Sequence, residues 1–339
     1  MIHPLELRYN EAVPYHEKTR VGVLRGGPSS EYEISLKSGA AVLKNLPETY
    51  SGIDIFIDRG GVWHLHGTPR EPHRALAQVD VVWNALHGEY GEDGGVQELL
   101  DTYALPYTGS GRFASAMAMN KAAAKGMLAE HGVKTPYYRL LRREEAVSIR
   151  RLASALHRSF PQPCMVKPLA KGSSVGMTVA GTLSELIEAL DNGFSSSDTL
   201  LIEEFIRGRE ATCAVVDDFR GERLYALLPI EIVPPKESPF FDYYAKYSGK
   251  AREICPGNFS SKEKDELQEL SKKIHATLGL RHYSRSDFIV HPRRGIYFLE
   301  VNTLPGLTTE SLLPKALVAV GCSLPQFLEH VLSLALSHH

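Results

Sequence analysis

Two carboxylates and an amide, brought together by one predicted hairpin, are the residues around which the chemistry of this chain gathers. In Ser286-Asp-Phe-Ile-Val-His-Pro-Arg-Arg-Gly-Ile-Tyr-Phe-Leu-Glu-Val-Asn302, the runs Phe288–Val290 and Ile296–Leu299 are apolar, aromatic and β-branched, with turn residues between them. With a turn symmetric about residues 293–294, Asp287 stands opposite Glu300, and opposed residues share a face. Asn302, two residues beyond Glu300, points the same way. Like charges set opposite each other destabilise a ladder, so the pair calls for a cation. Hard oxygen ligands in small number suit Mg²⁺ held jointly with substrate phosphates. The competing reading is an acidic strand end in solvent.

Phosphate chemistry has a second candidate stretch. Lys167-Pro-Leu-Ala-Lys-Gly-Ser-Ser-Val-Gly-Met177 places a lysine at a strand end, ahead of a loop of small residues whose N–H groups can cradle phosphate oxygens. It lacks the G-x-x-x-x-G-K-[ST] spacing and joins strands rather than opening a helix; a plain β-hairpin turn has the same look. The stretch Thr199–Glu210 starts as a buried strand and ends in charge. Main chain past such a strand can read the edge of a flat heterocycle, and Glu210 can accept hydrogen bonds from ribose hydroxyls, although an interdomain linker fits as well. Gly109-Ser-Gly-Arg-Phe-Ala114 matches the loose dinucleotide pattern G-x-G-x-x-A. Only a short, Pro-broken run precedes it and no acidic residue closes a second strand, so a nicotinamide or flavin site is set aside.

The elements that must position these residues follow from pattern. Arg20–Leu24 is a strand that runs into a Gly-rich turn and a helical stretch through Ser35–Leu46, the opening of an open α/β sheet. Ile53–Ile57 is a second strand and Val62–Leu65 a small hairpin arm. Val79–Leu86 is a buried third strand that delivers His87-Gly-Glu-Tyr-Gly-Glu-Asp-Gly-Gly at its carboxyl end, where open α/β sheets bind ligands. A helical run from Ser115 ends at Gly132. Mixed elements follow: strands Tyr137–Leu141, Cys164–Pro168 and Met177–Val179, helices Glu144–Ser159 and Ser184–Asp191, then a Phe194-Ser-Ser-Ser-Asp link. The last third has strands Glu210–Asp217 and Arg223–Ile232, a long aromatic loop over 234–259, a helix Ser261–Leu278, the hairpin, and a final helix Leu324–Leu336. The expected organisation is an extension over 1–19, an open α/β unit over 20–111, and two α+β units over 112–201 and 202–339.

Composition narrows the function class. The chain has 339 residues, 43% hydrophobic and 23% charged, with a formal net charge of −2 and a pI near 6.7, which argues against a general affinity for nucleic acid or anionic membrane. Cys164, Cys213, Cys255 and Cys322 are widely spaced and form no Cys-x-x-Cys pair, so they read as reduced thiols. A polar amino terminus and the lack of any long apolar run predict a cytoplasmic protein.

Taken in order, three sets of motifs resemble the ATP-grasp family: Val166-Lys-Pro168 with Gly172-Ser-Ser-Val-Gly-Met177, Ile202-Glu-Glu-Phe-Ile206 with Gly208-Arg-Glu210, and Asp287-Phe288 with Leu299-Glu-Val-Asn-Thr-Leu-Pro-Gly-Leu-Thr308. Three more are similar to its D-alanine–D-alanine ligases: Gly26-Gly27 with Glu31-Tyr-Glu-Ile-Ser-Leu-Lys-Ser-Gly39, Ala85-Leu-His-Gly88 with Gly91-Glu-Asp-Gly94, and Pro106-Tyr-Thr-Gly-Ser-Gly111. The resemblance runs from about Val21 to about His330. It implies an ATP-grasp fold, with an open α/β domain followed by two α+β domains that sandwich ATP.

It also implies roles. Lys121 and Lys167 would contact ATP phosphates under the loop of Gly172, Ser173 and Ser174. Glu203 with the backbone of Glu204, Phe205 and Ile206 would receive adenine, and Glu210 the ribose. Asp287, Glu300 and Asn302 would hold two Mg²⁺ ions, with Mn²⁺ as a substitute. Glu31 would bind the ammonium of a first D-alanine, with Ser173 and Tyr247 around it and His87 alongside. Arg285 and the N–H of Gly306 would face the developing oxyanion, and Ser311 the carboxylate of a second D-alanine. The loop 234–259 would be a lid, with Lys246 reaching a phosphate; a tyrosine at 247 resembles members that make D-alanyl-D-alanine rather than D-alanyl-D-lactate. A homodimer is what the family implies. Three features depart from its pattern: the longer extension, the short basic segment Ser248-Gly-Lys-Ala-Arg252, and Glu310 where many members have histidine, which puts negative charge beside Ser311.

The expected activity is ATP-dependent joining of two D-alanines through an acyl phosphate, for peptidoglycan precursors. The same scaffold making D-alanyl-D-lactate or D-alanyl-D-serine is the near alternative. A nucleotide-binding regulatory protein without turnover is the distant one, and the oxyanion arginine argues against it.

Overall fold

The computed structural model describes residues 18–169, 176–235 and 251–337. Gly172, Ser173 and Ser174, the lid residues Lys246 and Tyr247, and most of the expected amino-terminal extension lie outside the described residues.

Three sheets form the frame. The first contains β1 (Thr19–Gly26), β2 (Tyr50–Ile57), β3 (Trp63–Leu65), β4 (Thr68–Pro69) and β5 (Val81–Asn84), in the order β4-β3-β2-β1-β5. β1 runs parallel to both β2 and β5, while β3 and β4 add an antiparallel arm. Val21, Val23 and Leu24 are fully buried because the strand is covered on both faces. Val21 and Val23 join a core with Trp83 and Phe327, and Leu24 one with Ile55, Leu86 and Leu100. The helix Tyr32–Asn45 returns from β1 to β2, as the Gly-rich turn predicts.

The second sheet is antiparallel, with β6 (Tyr138–Arg142), β7 (Cys164–Pro168), β8 (Thr178–Ala180) and β9 (Thr199–Glu204) in the order β6-β9-β7-β8. Helices Ile149–Ser159 and Leu183–Ser196 cover one face through Leu156, Leu186 and Leu190. β9 is an inner strand here, and it spans the division expected between residues 201 and 202. Residues 194–196 are the last turn of a helix rather than a link, because Phe194 is buried in that same core.

The third sheet has β10 (Arg209–Phe219), β11 (Glu222–Ala226), β12 (Ile230–Val233), β13 (Arg252–Ile254), β14 (Tyr283–His291) and β15 (Gly295–Asn302), ordered β13-β12-β10-β14-β15 with β11 also on β10. The single strand expected over Arg223–Ile232 is two, separated around Pro229, which has no N–H to give a ladder. The helix expected from Ser115 is also two, Arg112–Met119 and Lys121–Glu130. Asn120 leaves helical geometry between them and its side-chain oxygen accepts from the Ala123 N–H at 3.1 Å, a cap that competes with helix continuation. Both helices, expected within the 112–201 unit, share a core with Phe288, Phe298 and Val301 of the third sheet. A helix at Leu312–Ala319, not anticipated, precedes the final helix Leu324–Ser337. No single helix among the described residues is long and apolar enough to cross a membrane.

Candidate functional site

The hairpin of β14 and β15 opposes Asp287 to Glu300 and Arg285 to Asn302. The opposition arises by a route other than a symmetric turn. His291 faces Gly295 and Phe288 faces Phe298, so the turn centres on Arg293, and a register shift beside Asp287 inserts Leu299. Such a bulge sets two residues of one strand against one of the other. Leu299 and Glu300 accordingly both line the same cleft as Asp287 and Ile289.

Asp287 is held from three sides. Arg285 donates Nε to Oδ1 and Nη2 to Oδ2, both at 2.9 Å, Thr212 Oγ1 donates to Oδ1 at 2.6 Å, and Asn302 Nδ2 lies 3.3 Å from Oδ2. Burial works against the Arg285 charge, but Asp287, Glu300 and Glu92 outweigh it and hold the guanidinium above its ordinary value. Lys121 Nζ lies 3.2 Å from Glu300 Oε2. Burial likewise opposes the Lys121 charge, and Glu300, Glu203 and Glu31 raise it. Each acid of the opposed pair thus has its own cation. Two carboxylates and an amide oxygen form a donor set that fits a hard divalent cation.

A cleft of ≈ 850 Å³ lies between the second and third sheets. Met165, Met177, Val179, Ile206, Ile289 and Leu299 give it apolar walls, with Lys167, Glu203, Glu210, Asp287 and Glu300 among its charged lining. Glu203 is clasped by two lysines: Lys125 Nζ lies 2.9 Å from Oε1 and Lys167 Nζ contacts Oε2. Burial pushes the Glu203 carboxyl up, yet Lys125 and Lys167 bring it down to about 2. Lys125 is fully buried, and burial lowers its own pKa despite Glu203. Beyond β9, the Glu204 N–H donates to the Tyr137 carbonyl at 2.8 Å and the Phe205 N–H to that of Pro163 at 3.2 Å. Two N–H groups of the segment expected to receive adenine are therefore engaged within the protein. The Glu204 side chain pairs with Arg294 of the hairpin turn at 2.5 Å.

A second, smaller cavity of ≈ 30 Å³ adjoins the hairpin, lined by Glu31, Gly88, Glu92, Lys121, Glu300 and Asn302 among others. Glu31 starts the helix Tyr32–Asn45 without its side chain capping it. Ser29 Oγ and the Ser30 N–H donate to Glu89 at 2.9 and 3.2 Å, which stitches the loop after β1 to the loop after β5. Gly88 is left-handed, and a Cβ there would fall 2.5 Å from Ser29 Oγ, so the two loops meet closely only with glycine. Single ligand atoms of Glu31, His87 and Glu92 lie within 4.8 Å of one another. Burial pushes the imidazolium of His87 down and Arg285 adds to this, while Glu31 opposes it. Burial, then Glu31, pushes the Glu92 carboxyl up to about 7. His87 Nε2 lies 2.8 Å from Ser38 Oγ, which also accepts from the Leu307 N–H at 3.3 Å.

That last bond reaches the segment of Gly306 and Ser311. A Cβ on Gly306 would lie 2.8 Å from Ser311 Oγ. Ser311 precedes the helix Leu312–Ala319, and its Oγ lies 2.8 Å from Thr308 Oγ1. Glu310 is 88% exposed and 3.7 Å from Lys315, which also pairs with Glu253 at 2.7 Å. The negative charge beside Ser311 therefore points to solvent and has a cation close by.

Among the described residues expected at a site, the hairpin and cleft bring together Lys121, Lys167, Glu203, Arg285, Asp287, Glu300 and Asn302, and the adjoining loops bring Glu31 and His87. Four contributors were given no role from the sequence, although Ser38 and Glu92 lie within motifs singled out there: Lys125, Thr212, Ser38 and Glu92. Two had a periodic signal. Lys125 is four residues past Lys121 on a helix, and Thr212 two past Glu210 on a strand, each on the face of its predecessor.

The chain is similar to known proteins over most of its length. The family model described as D-ala D-ala ligase N-terminus matches residues 20–75 and 64–110, and that described as D-ala D-ala ligase C-terminus matches 127–333. A D-alanine–D-alanine ligase of Geobacter sulfurreducens is 41% identical over 317 residues, 93% of each chain. Among solved structures, the D-alanine–D-alanine ligase of Coxiella burnetii has a TM-score of 0.80 at 27% identity over 95% of both chains. The VanG D-Ala:D-Ser ligase of Enterococcus faecalis also scores 0.80, at 28% identity, over 94% of this chain and 100% of its own.

Proposed function

The chain belongs to the D-alanine–D-alanine ligase family, and on that premise we propose that it converts two D-alanines and ATP to D-alanyl-D-alanine, ADP and phosphate. The carboxylate of the first D-alanine bonds to the γ-phosphorus as the bond to ADP breaks. The amine of the second then bonds to the acyl carbon, phosphate leaves with the C–O electron pair, and the amine loses a proton. The product would serve peptidoglycan precursor synthesis.

The observation that carries this reading is that Asp287 and Glu300, each with its own cation, stand opposite each other and both line the ≈ 850 Å³ cleft. Phosphoryl transfer needs positioning and charge neutralisation more than covalent help. Lys121 and Lys167 supply positive charge to the phosphates, the apolar walls receive adenine beside Glu204–Ile206, and Glu210 accepts from the ribose. Mg²⁺ held by Asp287, Glu300 and Asn302 (two ions, with Mn²⁺ as substitute) would neutralise the polyphosphate so that a carboxylate can approach it. Glu31 binds the first ammonium beside His87. Arg285 and the Gly306 N–H face the oxyanion of the second step, and Ser311 holds the second carboxylate. Ser173, Tyr247 and Lys246 would complete the enclosure, which must keep water from the acyl phosphate.

The test is phosphate release by purified protein with ATP and Mg²⁺, comparing D-alanine with D-lactate, D-serine and L-alanine as partner. D-alanine-dependent release with dipeptide formation is expected. Its absence would remove the proposal, and faster turnover with D-serine or D-lactate would reassign the second substrate.

A further inference from the structure

Glu92 takes none of the roles above, yet it joins two parts of the site that are far apart in the chain. Its Oε2 accepts from the Gly88 N–H at 2.9 Å, and its Oε1 accepts from the Leu304 N–H at 3.0 Å and the Thr303 hydroxyl at 3.2 Å. Gly88 follows His87 at the end of β5. Thr303 and Leu304 leave β15 and lead, through Pro305, into Gly306. A single carboxylate therefore ties the loop beside the first substrate to the loop that carries the oxyanion N–H. Three donors converge on it, which suits a carboxylate, an acceptor at both oxygens, and not an amide. Gln at 92 would turn one N–H pair against either Gly88 or Leu304.

We propose that Glu92 is a positioning residue for the second half-reaction, holding Thr303–Gly306 in register with the His87 loop so that the Gly306 N–H meets the oxyanion. The inference rests on the dipeptide-forming reading above. The two half-reactions draw on different groups. Phosphoryl transfer uses Lys121, Lys167 and the opposed acids, whereas Glu92 accepts from Gly88, Thr303 and Leu304. The oxyanion forms only when the amine attacks, so displacement of its donor raises that barrier alone. An acyl phosphate that waits is open to water: the water oxygen bonds to the acyl carbon, phosphate leaves, and D-alanine is regenerated. ATP is then spent without dipeptide.

The experiment measures dipeptide and phosphate in the same samples, with saturating ATP and D-alanine, for the full chain, Glu92→Gln and Thr303→Val. The unaltered protein is expected to give one dipeptide per phosphate. Glu92→Gln should lower dipeptide formation on the order of tenfold or more, lower the dipeptide-to-phosphate ratio, and leave the KM for ATP unchanged. Thr303→Val, which removes one of the three donors, should shift the ratio in the same direction by less, and it decides the matter if Glu92→Gln fails to fold. An unchanged ratio in the folded variants, whether activity is retained or both products fall together, would overturn the proposal. Unaltered protein that ligates while the variants keep its ratio removes this inference alone. Unaltered protein with no D-alanine-dependent phosphate removes the functional reading, and this inference with it.

Discussion

At the scale of single residues, the state of Glu203 sets how the cleft greets a nucleotide. One buried carboxylate between Lys125 and Lys167 leaves a net positive charge, and Glu203 occupies Lys167 much as a phosphate oxygen would. ATP must exchange with it, and Lys125 then remains to neutralise Glu203. Lys125→Met should accordingly weaken ATP binding by about tenfold, since Lys167 then stays with Glu203; nucleotide titration checks this. Removing one partner of a buried ion group costs up to roughly 3–5 kcal/mol, so the melting temperature should fall too, and Glu203→Gln in the same chain should recover part of it. The pH dependence has a definite sign. The Glu203 carboxyl is lowered from 4.5 to about 2, so its contribution to stability is present above pH 4.5 and lost as pH falls through about 2. Acid unfolding of Lys125→Met should begin at higher pH than that of the unaltered protein.

At the scale of elements, the hairpin shows what the amino-acid pattern discloses and what it conceals. Alternation and turn residues were enough to expect the hairpin and to bring Asp287 and Glu300 together, but the turn lies one half-step from the assumed centre and the bulge restores the opposition. The bulge at Leu299 was hidden, since an extra residue leaves no trace in composition. The Asn120 break was hidden for a related reason: Asn inside an Ala-rich run is compatible with a helix until its side chain finds the Ala123 N–H. Glu92 could not be singled out among the acids of its loop, because its donors at 303 and 304 lie more than two hundred residues away. Gly306 illustrates the tolerance of such an element. A Cβ would meet Ser311 Oγ at 2.8 Å, so Gly306→Ala should reduce turnover by roughly ten- to a hundredfold with little change in melting temperature. Steady-state kinetics beside a thermal melt will separate the two, and a folded, fully active variant would count against close packing there.

At the scale of the whole molecule, the final helix Leu324–Ser337 holds the first and third sheets to each other. Phe327 is fully buried, edge-on to Trp83 of β5 at 6.3 Å and to Tyr283 of β14 at 5.3 Å. Leu328, Val331 and Leu332 continue the same core against Val21, Val23 and Val216. The site is made where those sheets meet, so their relative placement sets the distance from Glu31 and His87 to the hairpin. Phe327→Ala should cost roughly 3–5 kcal/mol. Denaturant unfolding followed by tryptophan fluorescence should remain one transition, moved to lower denaturant; two transitions would show that the sheets do not depend on this contact.

The same helix has a meaning in time as well as in space. The first sheet, with Tyr107 bridged to Val82 at its edge, is complete once residue 108 has been made, yet the side chains that cover Val21, Val23 and Trp83 include Phe327, Leu328 and Val331. At 5–20 residues per second, ribosomal synthesis leaves that apolar face waiting for roughly 10–45 s. During that interval the nascent chain presents β-branched and aromatic surface with Val42 and Leu43 in place but its carboxy-terminal partners not yet in existence. The earliest sheet of this protein is thus the last to be finished, and factors that shelter nascent apolar surface have their widest opportunity at its amino-terminal end.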